Sequence, residues 1–396
     1  MCGLGWGVDA LWRALRAGRC AIGPFRRFDH ALHRTHLAAE VPDLARAGGG
    51  RDDRLSLADR FALFAAREAW SQSGLAAEPP EPEGLGVYFG SSTGGMFESE
   101  LFFARLVEDR RKARVGVLAT QPVSAPGDAV ARELGAQGPT ATYSSACSSG
   151  ALALGAALEA VRHGEVEVAV AGGADSLCRL TYAGFNALRS VDESPCRPFR
   201  ASRSGMSFGE GAAVLILEPL ERARGRGAPI LGELVGAASS CDAHHMTAPE
   251  PSGSGASAAL AAALADAGLA PEAVDFINVH GTGTPLNDAA EWQALARVFG
   301  NRVGRIPIAA TKALIGHLLG CAGAIEAVVT LLCLRHGEVH PVPRLHGEGI
   351  DPALGANLVL DRPLPLAEAR VAVSTSLAFG GSNAALVFAR DPDSAA

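Results

Sequence analysis

The sequence predicts an α/β fold made of two similar halves. Apolar, β-branched runs indicate buried strands, and Ala- and Leu-rich stretches of helical length lie between them. Strands that alternate with helices indicate central sheets covered by helices. Two segments, GEGAAVLILE (209–218) and GGSNAALVFA (380–389), both run from a glycine turn into an apolar strand. The similarity of these two segments predicts two similar halves that divide at the charged segment ERARGRGAP, into residues 1–227 and 228–396.

The individual elements follow from local patterns. The helix ALALGAALEAVRHG (151–164) ends at Gly164, as expected for a C-terminal glycine cap. The predicted strands are LGVYFG (85–90), VEVAVAGG (166–173), AAVLILE (212–218), VDFINVHG (274–281), IPIAAT (306–311) and AALVFA (384–389).

Composition excludes several classes of function. The formal net charge is -7 and only 19% of residues are charged, so the overall balance does not indicate nucleic-acid binding. The eight cysteines form no CxxC pair and no zinc-like spacing with histidine, which predicts a reduced, cytoplasmic protein without a metal. No apolar run comes near the roughly 18 residues of a membrane helix, so we expect no membrane insertion.

Cys147 lies in the motif SSACSSG (144–150), directly before a small-residue helical stretch. A thiolate at a helix N-terminus faces unpaired N–H groups and the positive end of the helix dipole, which predicts a lowered pKa and a nucleophile. The alternative is a buried structural thiol, the common state of a free cysteine.

Two further segments carry candidate chemistry. His280 ends a predicted strand and precedes a loop with Thr282 and Thr284, and strand ends of this kind gather ligand groups in α/β proteins. Lys312 and His317 share a loop before a helix that carries Glu326. Each of these residues alone is more often structural or solvated, but the chain has only two lysines, Lys112 and Lys312, which weakens that interpretation for Lys312.

The ordered motifs SSACSSG, NVHGTGTP, TKALIGHLLGCAGAIE and LAFGGSN resemble the β-ketoacyl-acyl carrier protein synthases of the type I/II branch of the thiolase superfamily. The resemblance covers nearly the whole chain and implies a thiolase-like, five-layered α-β-α-β-α fold. It implies decarboxylative condensation of malonyl-carrier protein with an acyl-enzyme, in fatty acid or related polyene or polyketide synthesis. The alternative is a ketosynthase-like partner subunit that shapes chain length without condensing alone.

The resemblance also implies roles for individual residues. Cys147 accepts the acyl group, His280 and His317 stabilise the enolate, and Lys312 with Glu326 holds the histidine loop. Other implied roles are the oxyanion hole and gate at Cys147 and Phe379, pantetheine binding by Thr282 and Thr284, an acyl pocket at Thr93, Phe185 and Phe379, and carrier-protein docking by Arg111, Lys112 and Arg189. No cofactor is expected, because phosphopantetheine belongs to the acyl carrier protein, and the chain should form a homodimer or pair with a similar subunit.

Two details distinguish this chain from other members of the superfamily. The C-terminal loop LAFGGSN lacks the second cysteine of thiolases, and His317 stands where the synthase III branch has Asn. These residues favour decarboxylative condensation.

Three departures from the family pattern generate expectations. The family begins with a strand ahead of the segment matched by GLGWGVDALWRAL, so we expect the first sheet to lack a central strand and the true start to lie upstream of Met1. Leu377-Ala378 replaces Phe-Gly before the gate, and Ala does not reach positive φ cheaply, so opening of the loop should differ. Thr93 replaces a bulkier residue and predicts a roomier or more polar acyl channel.

Overall fold

Helices and strands alternate along most of the chain, as the sequence predicts. The computed structural model describes residues 1–48, 54–343 and 349–391. The α-helices within these ranges are α1 (Val8–Arg16), α2 (Leu57–Ser73), α3 (Met96–Glu108), α4 (Ala125–Leu134), α5 (Ser149–Arg162), α6 (Arg179–Ala187), α7 (Leu220–Gly225), α8 (Ser254–Asp266), α9 (Pro285–Phe299), α10 (Lys312–Ile315) and α11 (Ala322–His336). The strands there are β1 (Gly23–Pro24), β2 (Leu37–Ala39), β3 (Leu85–Gly90), β4 (Thr140–Tyr143), β5 (Val168–Asp175), β6 (Phe208–Gly209), β7 (Gly211–Leu217), β8 (Glu233–Cys241), β9 (Phe276–Asn278), β10 (Ile308–Ala309), β11 (Glu338–Val339), β12 (Leu364–Pro365), β13 (Val371–Leu377) and β14 (Ser382–Ala389).

Two mixed sheets form the centre of the fold and share one topology. The first has the order β4-β3-β5-β7, with β3 parallel to both neighbours and β7 antiparallel to β5. The second has the order β10-β9-β13-β14-β8, with β9 parallel to both neighbours and β14 antiparallel to β13. The similar segments 209–218 and 380–389 therefore contain the equivalent strands β7 and β14.

The two sheets differ at one edge. In the second sheet, β8 runs antiparallel along the outer side of β14, whereas β7 has no such neighbour among the described residues. The expectation of a missing central strand is wrong, because β3 and β5 pair directly over six residues and the unmatched position is the sheet edge beside β7.

Helices separate and cover the sheets in five layers. Helices α2 and α4 pack on the outside of the first sheet, and α8 packs on the outside of the second sheet with α9 against it. Between the sheets, α5 packs on β3 and β5 while α11 packs on β13, and the two helices contact each other. Both middle helices begin in the segments that carry the predicted site residues.

The middle helices approach so closely that glycine is required where they meet. A Cβ on Gly150 of α5 would lie 2.8 Å from the backbone N of Ala324 in α11. A Cβ on Gly323 would lie 2.7 Å from the backbone N of Ala151. We call this contact between Gly150–Ala151 and Gly323–Ala324 the glycine seam. It joins the start of α5 to the start of α11, one helix from each half of the chain.

Local predictions hold at some positions and fail at others. Helix α5 ends at Arg162, and Gly164 follows with a φ of +70°, which confirms the predicted glycine cap. Strand β3 has the predicted bounds, whereas β9 covers only the centre of the predicted run 274–281.

The segment Leu319–His336 corrects the expectation about apolar runs. Its 18 residues have the length and composition of a membrane span, so a run of that length does occur. However, 83% of it is buried inside the fold, which is typical of a core helix between two sheets.

Gly90→Ala should destabilise the protein, because a Cβ there would lie only 2.4 Å from the backbone N of Gly150. We expect a loss of about 1–3 kcal/mol in the free energy of unfolding, measured by denaturant titration. Gly184→Ala in α6 is the matched control, since its Cβ would meet nothing within 4 Å. Equal effects of the two substitutions would contradict the close approach of β3 to α5.

Candidate active site

Cys147 lies at the junction between strand β4 and helix α5. It is part of a 3-10 turn, Ala146–Ser148, that continues directly into α5. Ala146 has a φ of +52°, a conformation that non-glycine residues rarely adopt. The Ser149 hydroxyl accepts a hydrogen bond from Ser145 N (2.9 Å) and donates to Ala146 O (2.6 Å). The serines around the cysteine therefore hold the turn that presents its thiol.

Burial controls the acidity of the Cys147 thiol. Loss of hydration raises the pKa of this thiol to about 11, while the positive charge of Lys312 and a hydrogen bond from the Phe379 backbone act in the opposite direction. The prediction of a lowered pKa is therefore wrong for the protein without substrate: the helix terminus is present, but desolvation dominates. At neutral pH the group is a thiol.

His280 is held by its backbone. Glu291 of helix α9 accepts hydrogen bonds from the backbone N–H of His280 (2.7 Å) and of Gly281 (2.8 Å). The Thr375 hydroxyl donates to the same carboxylate (2.7 Å). Strand β13 and helix α9 therefore fix the loop that follows β9, and the imidazole is buried.

Lys312 determines which nitrogen of His280 carries the proton. Its ammonium group contacts His280 Nδ1 (3.1 Å), donates to the carbonyl oxygen of His280 (2.6 Å) and donates to the Glu326 carboxylate. An ammonium group has only donors, so His280 Nδ1 accepts and the proton of the neutral ring lies on Nε2. Lys312 is 1% exposed, in contrast to the exposed Lys112.

His317 has the same tautomer for a different reason. The backbone N–H of Leu319 donates to His317 Nδ1 (3.0 Å), so the proton of the neutral ring again lies on Nε2. This Nε2 atom is buried and has no hydrogen-bond partner. An unpartnered buried donor of this kind is available to a ligand.

The two imidazoles form a neutral pair of donors beside the thiol. Burial and the Lys312 charge lower the pKa of both His280 and His317 well below the usual value. Their ring centroids are 5.3 Å apart, and the Cys147 sulfur and one nitrogen of each ring lie within 4.8 Å of one another. This spacing could also hold a metal ion, but Nε2–H groups offer protons instead of lone pairs, and the nearby ammonium disfavours a cation. The arrangement is better suited to an oxyanion.

A cavity of about 250 Å³ gives access to these groups. Thr282 and Thr284 lie in its wall with their hydroxyl groups 2.9 Å apart, and Phe185 stacks on Phe379 with ring centroids at 5.1 Å. Arg189 also lines it, beside the exposed Leu188. The predicted pantetheine residues, gate and one predicted docking residue are thus in one cavity with Cys147, His280 and His317.

In the loop of the predicted gate, the residues with positive φ angles follow Phe379. Ala378 is extended, with a φ of -123°, whereas Gly380 and Gly381 have φ angles of +83° and +77°. Ala378 is therefore unstrained in this conformation, and altered opening of the loop stays a prediction. Phe379 itself is half-buried.

Other predicted site residues lie outside the cavity wall. The Thr93 hydroxyl donates to the buried carboxylate of Asp175 (2.8 Å), so it is engaged in the protein interior. Lys312 contacts the Nδ1 side of the His280 ring, and Glu326 contacts Lys312. Arg111 and Lys112 are exposed on the 3-10 turn Arg110–Lys112, and Arg111 pairs with Asp109.

Sequence reasoning missed two buried carboxylates that support the site. Asp175 accepts hydrogen bonds from the loop at 91–93 and from Gly320 N (2.6 Å), and Glu291 holds the His280 loop. Acidic residues in otherwise small or apolar segments, VAVAGGAD and NDAAEW, are a signal that could have identified both.

Comparison with protein-family models matches two adjoining regions. The model for the β-ketoacyl synthase N-terminal domain matches residues 1–223, and that for the C-terminal domain matches residues 231–346. The chain belongs to the β-ketoacyl synthase family. The match includes Cys147 in the first region and both histidines in the second.

Individual relatives agree with this assignment. The synthase chain is 35% identical to 3-oxoacyl-[acyl-carrier-protein] synthase 2 of Staphylococcus aureus (strain COL), covering 97% of this chain and 95% of the relative. The ishigamide ketosynthase/chain length factor has a TM-score of 0.92 at 32% identity, covering 98% and 96% of the two chains. A type II PKS acyl-carrier protein in complex with its ketosynthase bound to the hexaketide has a TM-score of 0.89 at 26% identity, covering 98% and 97%. The predicted thiolase-like α/β fold is confirmed by these structures.

Alkylation of Cys147 by iodoacetamide should accelerate steadily with pH and reach no plateau below about pH 10. The reason is that the thiolate is the reactive form and the pKa of the thiol is about 11. Rates are measured by mass spectrometry of the Cys147 peptide, with the exposed Cys241 as an internal reference. A plateau below pH 8 would contradict the dominance of desolvation.

Proposed function

We propose that the chain is a β-ketoacyl-acyl carrier protein synthase that catalyses decarboxylative Claisen condensation. The observation that carries the proposal is the pair of neutral Nε2–H donors of His280 and His317 beside the Cys147 thiol. Family membership and the resemblance to synthase 2 enzymes support the same acyltransferase class (EC 2.3.1).

The first step loads the enzyme. The Cys147 sulfur attacks the thioester carbonyl of an acyl group on the carrier protein's phosphopantetheine. A new S–C bond forms at Cys147, the S–C bond to the carrier breaks, and the thiol proton leaves with the departing sulfur. Thr282 and Thr284 lie where a pantetheine arm would pass along the cavity, and the Phe185–Phe379 pair lines the space for the acyl chain.

The second step makes the carbon nucleophile. Malonyl-carrier protein loses carbon dioxide, and the electron pair of the broken C–C bond delocalises onto the thioester oxygen. The Nε2–H groups of His280 and His317 are suited to stabilise this negative charge, because both rings are buried and held in fixed orientations. Burial and the charge of Lys312 lower the pKa of both rings, which are therefore neutral donors.

The third step forms the product. The enolate carbon attacks the acyl carbonyl on Cys147, and the backbone N–H groups of Cys147 and Phe379 stabilise the tetrahedral oxyanion. The Phe379 backbone already donates a hydrogen bond to the Cys147 side chain, and this bond acts to lower the pKa of the thiol. Collapse breaks the S–C bond to Cys147 and leaves a β-ketoacyl chain two carbons longer on the carrier. The departing Cys147 thiolate takes up a proton from solvent, which restores the thiol.

The carrier protein should dock at the mouth of the cavity. Arg189 and the exposed Leu188 and Leu286 all line the cavity, which suits an acidic partner with some apolar surface. Arg111 and Lys112 extend the basic surface on a separate turn. The solved carrier-protein complex of a related ketosynthase supports this class of partner.

Several broader features complete the proposal. The chain acts in the cytoplasm, in fatty acid synthesis or in related polyene or polyketide synthesis. It forms a dimer with a second copy or with a similar subunit, and its division into halves falls at 227/228. The resemblance to a ketosynthase/chain length factor supports the paired arrangement.

The second candidate is a partner subunit that does not condense by itself. It is motivated by the same ketosynthase/chain length factor relative. Purified chain incubated with acyl- and malonyl-carrier protein separates the two candidates. Activity that appears only when a second subunit is added would favour the partner role, whereas the intact Cys147 and histidine pair favours an enzyme active alone.

Cys147→Ala should abolish acyl loading and condensation, because Cys147 carries the only thiol among the described residues that line the cavity. Some malonyl decarboxylation should persist, since the two histidine donors remain. Mass spectrometry of the enzyme and of carrier-bound products measures both reactions. Condensation retained by this variant would exclude Cys147 as the nucleophile.

His317→Ala should reduce malonyl decarboxylation by roughly 10²–10³-fold, the usual effect of removing one oxyanion donor. Release of labelled carbon dioxide from malonyl-carrier protein measures the rate. His163→Ala is the matched control, because the His163 side chain is 66% exposed at the end of α5. An unchanged rate in His317→Ala would refute its role.

A further inference from the structure

Three histidines lie in a surface loop that the proposed reaction does not use. His30, His33 and His36 are spaced three residues apart in the loop 25–36, which connects the antiparallel strands β1 and β2. His36 is exposed and the other two are half-buried, and none of the three lines the cavity at Cys147. This loop contains no cysteine, so the cysteine spacings that predicted a protein without a metal do not bear on it.

The rings of His30 and His36 face each other through the same nitrogen. Their Nδ1 atoms are 2.8 Å apart, with ring centroids at 5.0 Å. His30 Nε2 lies 2.9 Å from the carbonyl oxygen of Phe25. A carbonyl oxygen only accepts, so the proton of the neutral His30 ring lies on Nε2 and its lone pair lies on Nδ1. In the neutral pair, His36 Nδ1 therefore donates to His30 Nδ1.

The loop that carries this pair is anchored to helix α6. Asn186 Oδ1 accepts hydrogen bonds from the backbone N–H groups of Arg34 (3.0 Å) and Thr35 (3.2 Å). The Tyr182 hydroxyl donates to the carbonyl oxygen of Thr35 (2.9 Å), and its ring stacks on Phe25 with centroids at 5.1 Å. The backbone is therefore fixed on both sides of the histidine pair, which lowers the cost of ordering the two rings around a ligand.

The spacing of the two nitrogens suits a metal ion that prefers right-angled bonds. Bonds of about 2.0–2.1 Å from a metal to two imidazoles place the nitrogens about 2.9 Å apart at a right angle and about 3.3 Å apart in a tetrahedron. The observed separation of 2.8 Å is closer to the right-angled value. Square-planar and tetragonal sites with nitrogen ligands are typical of Ni²⁺ and Cu²⁺.

We propose that His30 and His36 bind a divalent transition-metal ion of this kind, Ni²⁺ or Cu²⁺, through their two Nδ1 atoms. The lone pair of His30 Nδ1 is in place, and its Nε2–H continues to donate to Phe25, as the second nitrogen of a metal-bound imidazole usually does to a carbonyl. The neutral His36 ring moves its proton from Nδ1 to Nε2, so the binding step needs no net loss of a proton. Because His36 is exposed, solvent completes the coordination.

His33 provides a control within the same loop. Its ring lies against Tyr182, with centroids 5.5 Å apart. Among the described residues, the grouping of three potential metal ligands within 4.8 Å of one another is Cys147, His280 and His317, so His33 does not join the pair in this conformation. The proposed site therefore has two protein ligands, and His33→Gln changes a residue of the same type without removing either.

The test titrates the full chain, without an affinity tag, with Ni²⁺ in a calorimeter. We expect one ion per chain and a loss of affinity of at least about tenfold in His36→Gln, since loss of an outer partner alone costs about 10–100-fold. The fold should persist in this variant, because His36 is exposed. His33→Gln should keep the affinity of the unmodified chain. Equal losses in the two variants, or no loss in His36→Gln, would overturn the proposal.

Two further arms establish where the ion binds and by what chemistry. Cys147, His280 and His317 form the competing location. Cys147→Ala should leave the Ni²⁺ affinity unchanged, and the Ni²⁺ complex of the unmodified chain should have no sulfur-to-nickel charge-transfer band. Mg²⁺, which prefers oxygen ligands, should not bind to the pair. Ni²⁺ binding that depends on Cys147, or Mg²⁺ binding that is lost in His36→Gln, would contradict the assignment.

Discussion

The site depends on one buried ammonium group. The three donors of Lys312 meet His280 Nδ1, the His280 carbonyl and the Glu326 carboxylate, and these partners belong to two different segments of the second half. Without this group, His280 would have no fixed tautomer and α11 would carry an isolated buried acid. Burial and the charge of Lys312 together keep both imidazoles neutral. For His280, one lysine therefore determines position and proton placement and also contributes to the charge state.

Burial explains why the groups that face the substrate are neutral before substrate binds. Desolvation raises the pKa of the Cys147 thiol to about 11 and lowers the pKa of both histidines. Each shift favours the neutral form of the group. The chemistry proposed for this site generates its anions from the substrate, so a buried site with fixed N–H donors stabilises charge where and when it develops.

The sequence predicted the α/β class, the repeated halves and the residues that surround Cys147. It succeeded there because strand patterns are local and because the ordered motifs around Cys147, His280 and Lys312 together resemble one family. It failed where the outcome depends on three-dimensional surroundings. The pKa of Cys147 depends on burial that no motif reveals, and the open edge of β7 is visible only when the two sheets are compared.

The glycine seam has a consequence for exchanging parts between related enzymes. It lets the nucleophile's helix and the helix of Glu326 touch backbone to backbone, with no side chain between them to absorb a mismatch. A chimera that takes its first half from one family member and its second half from another would inherit the two sides of this contact from different parents. Such hybrids can keep their catalytic geometry only if both parents have small residues at these positions.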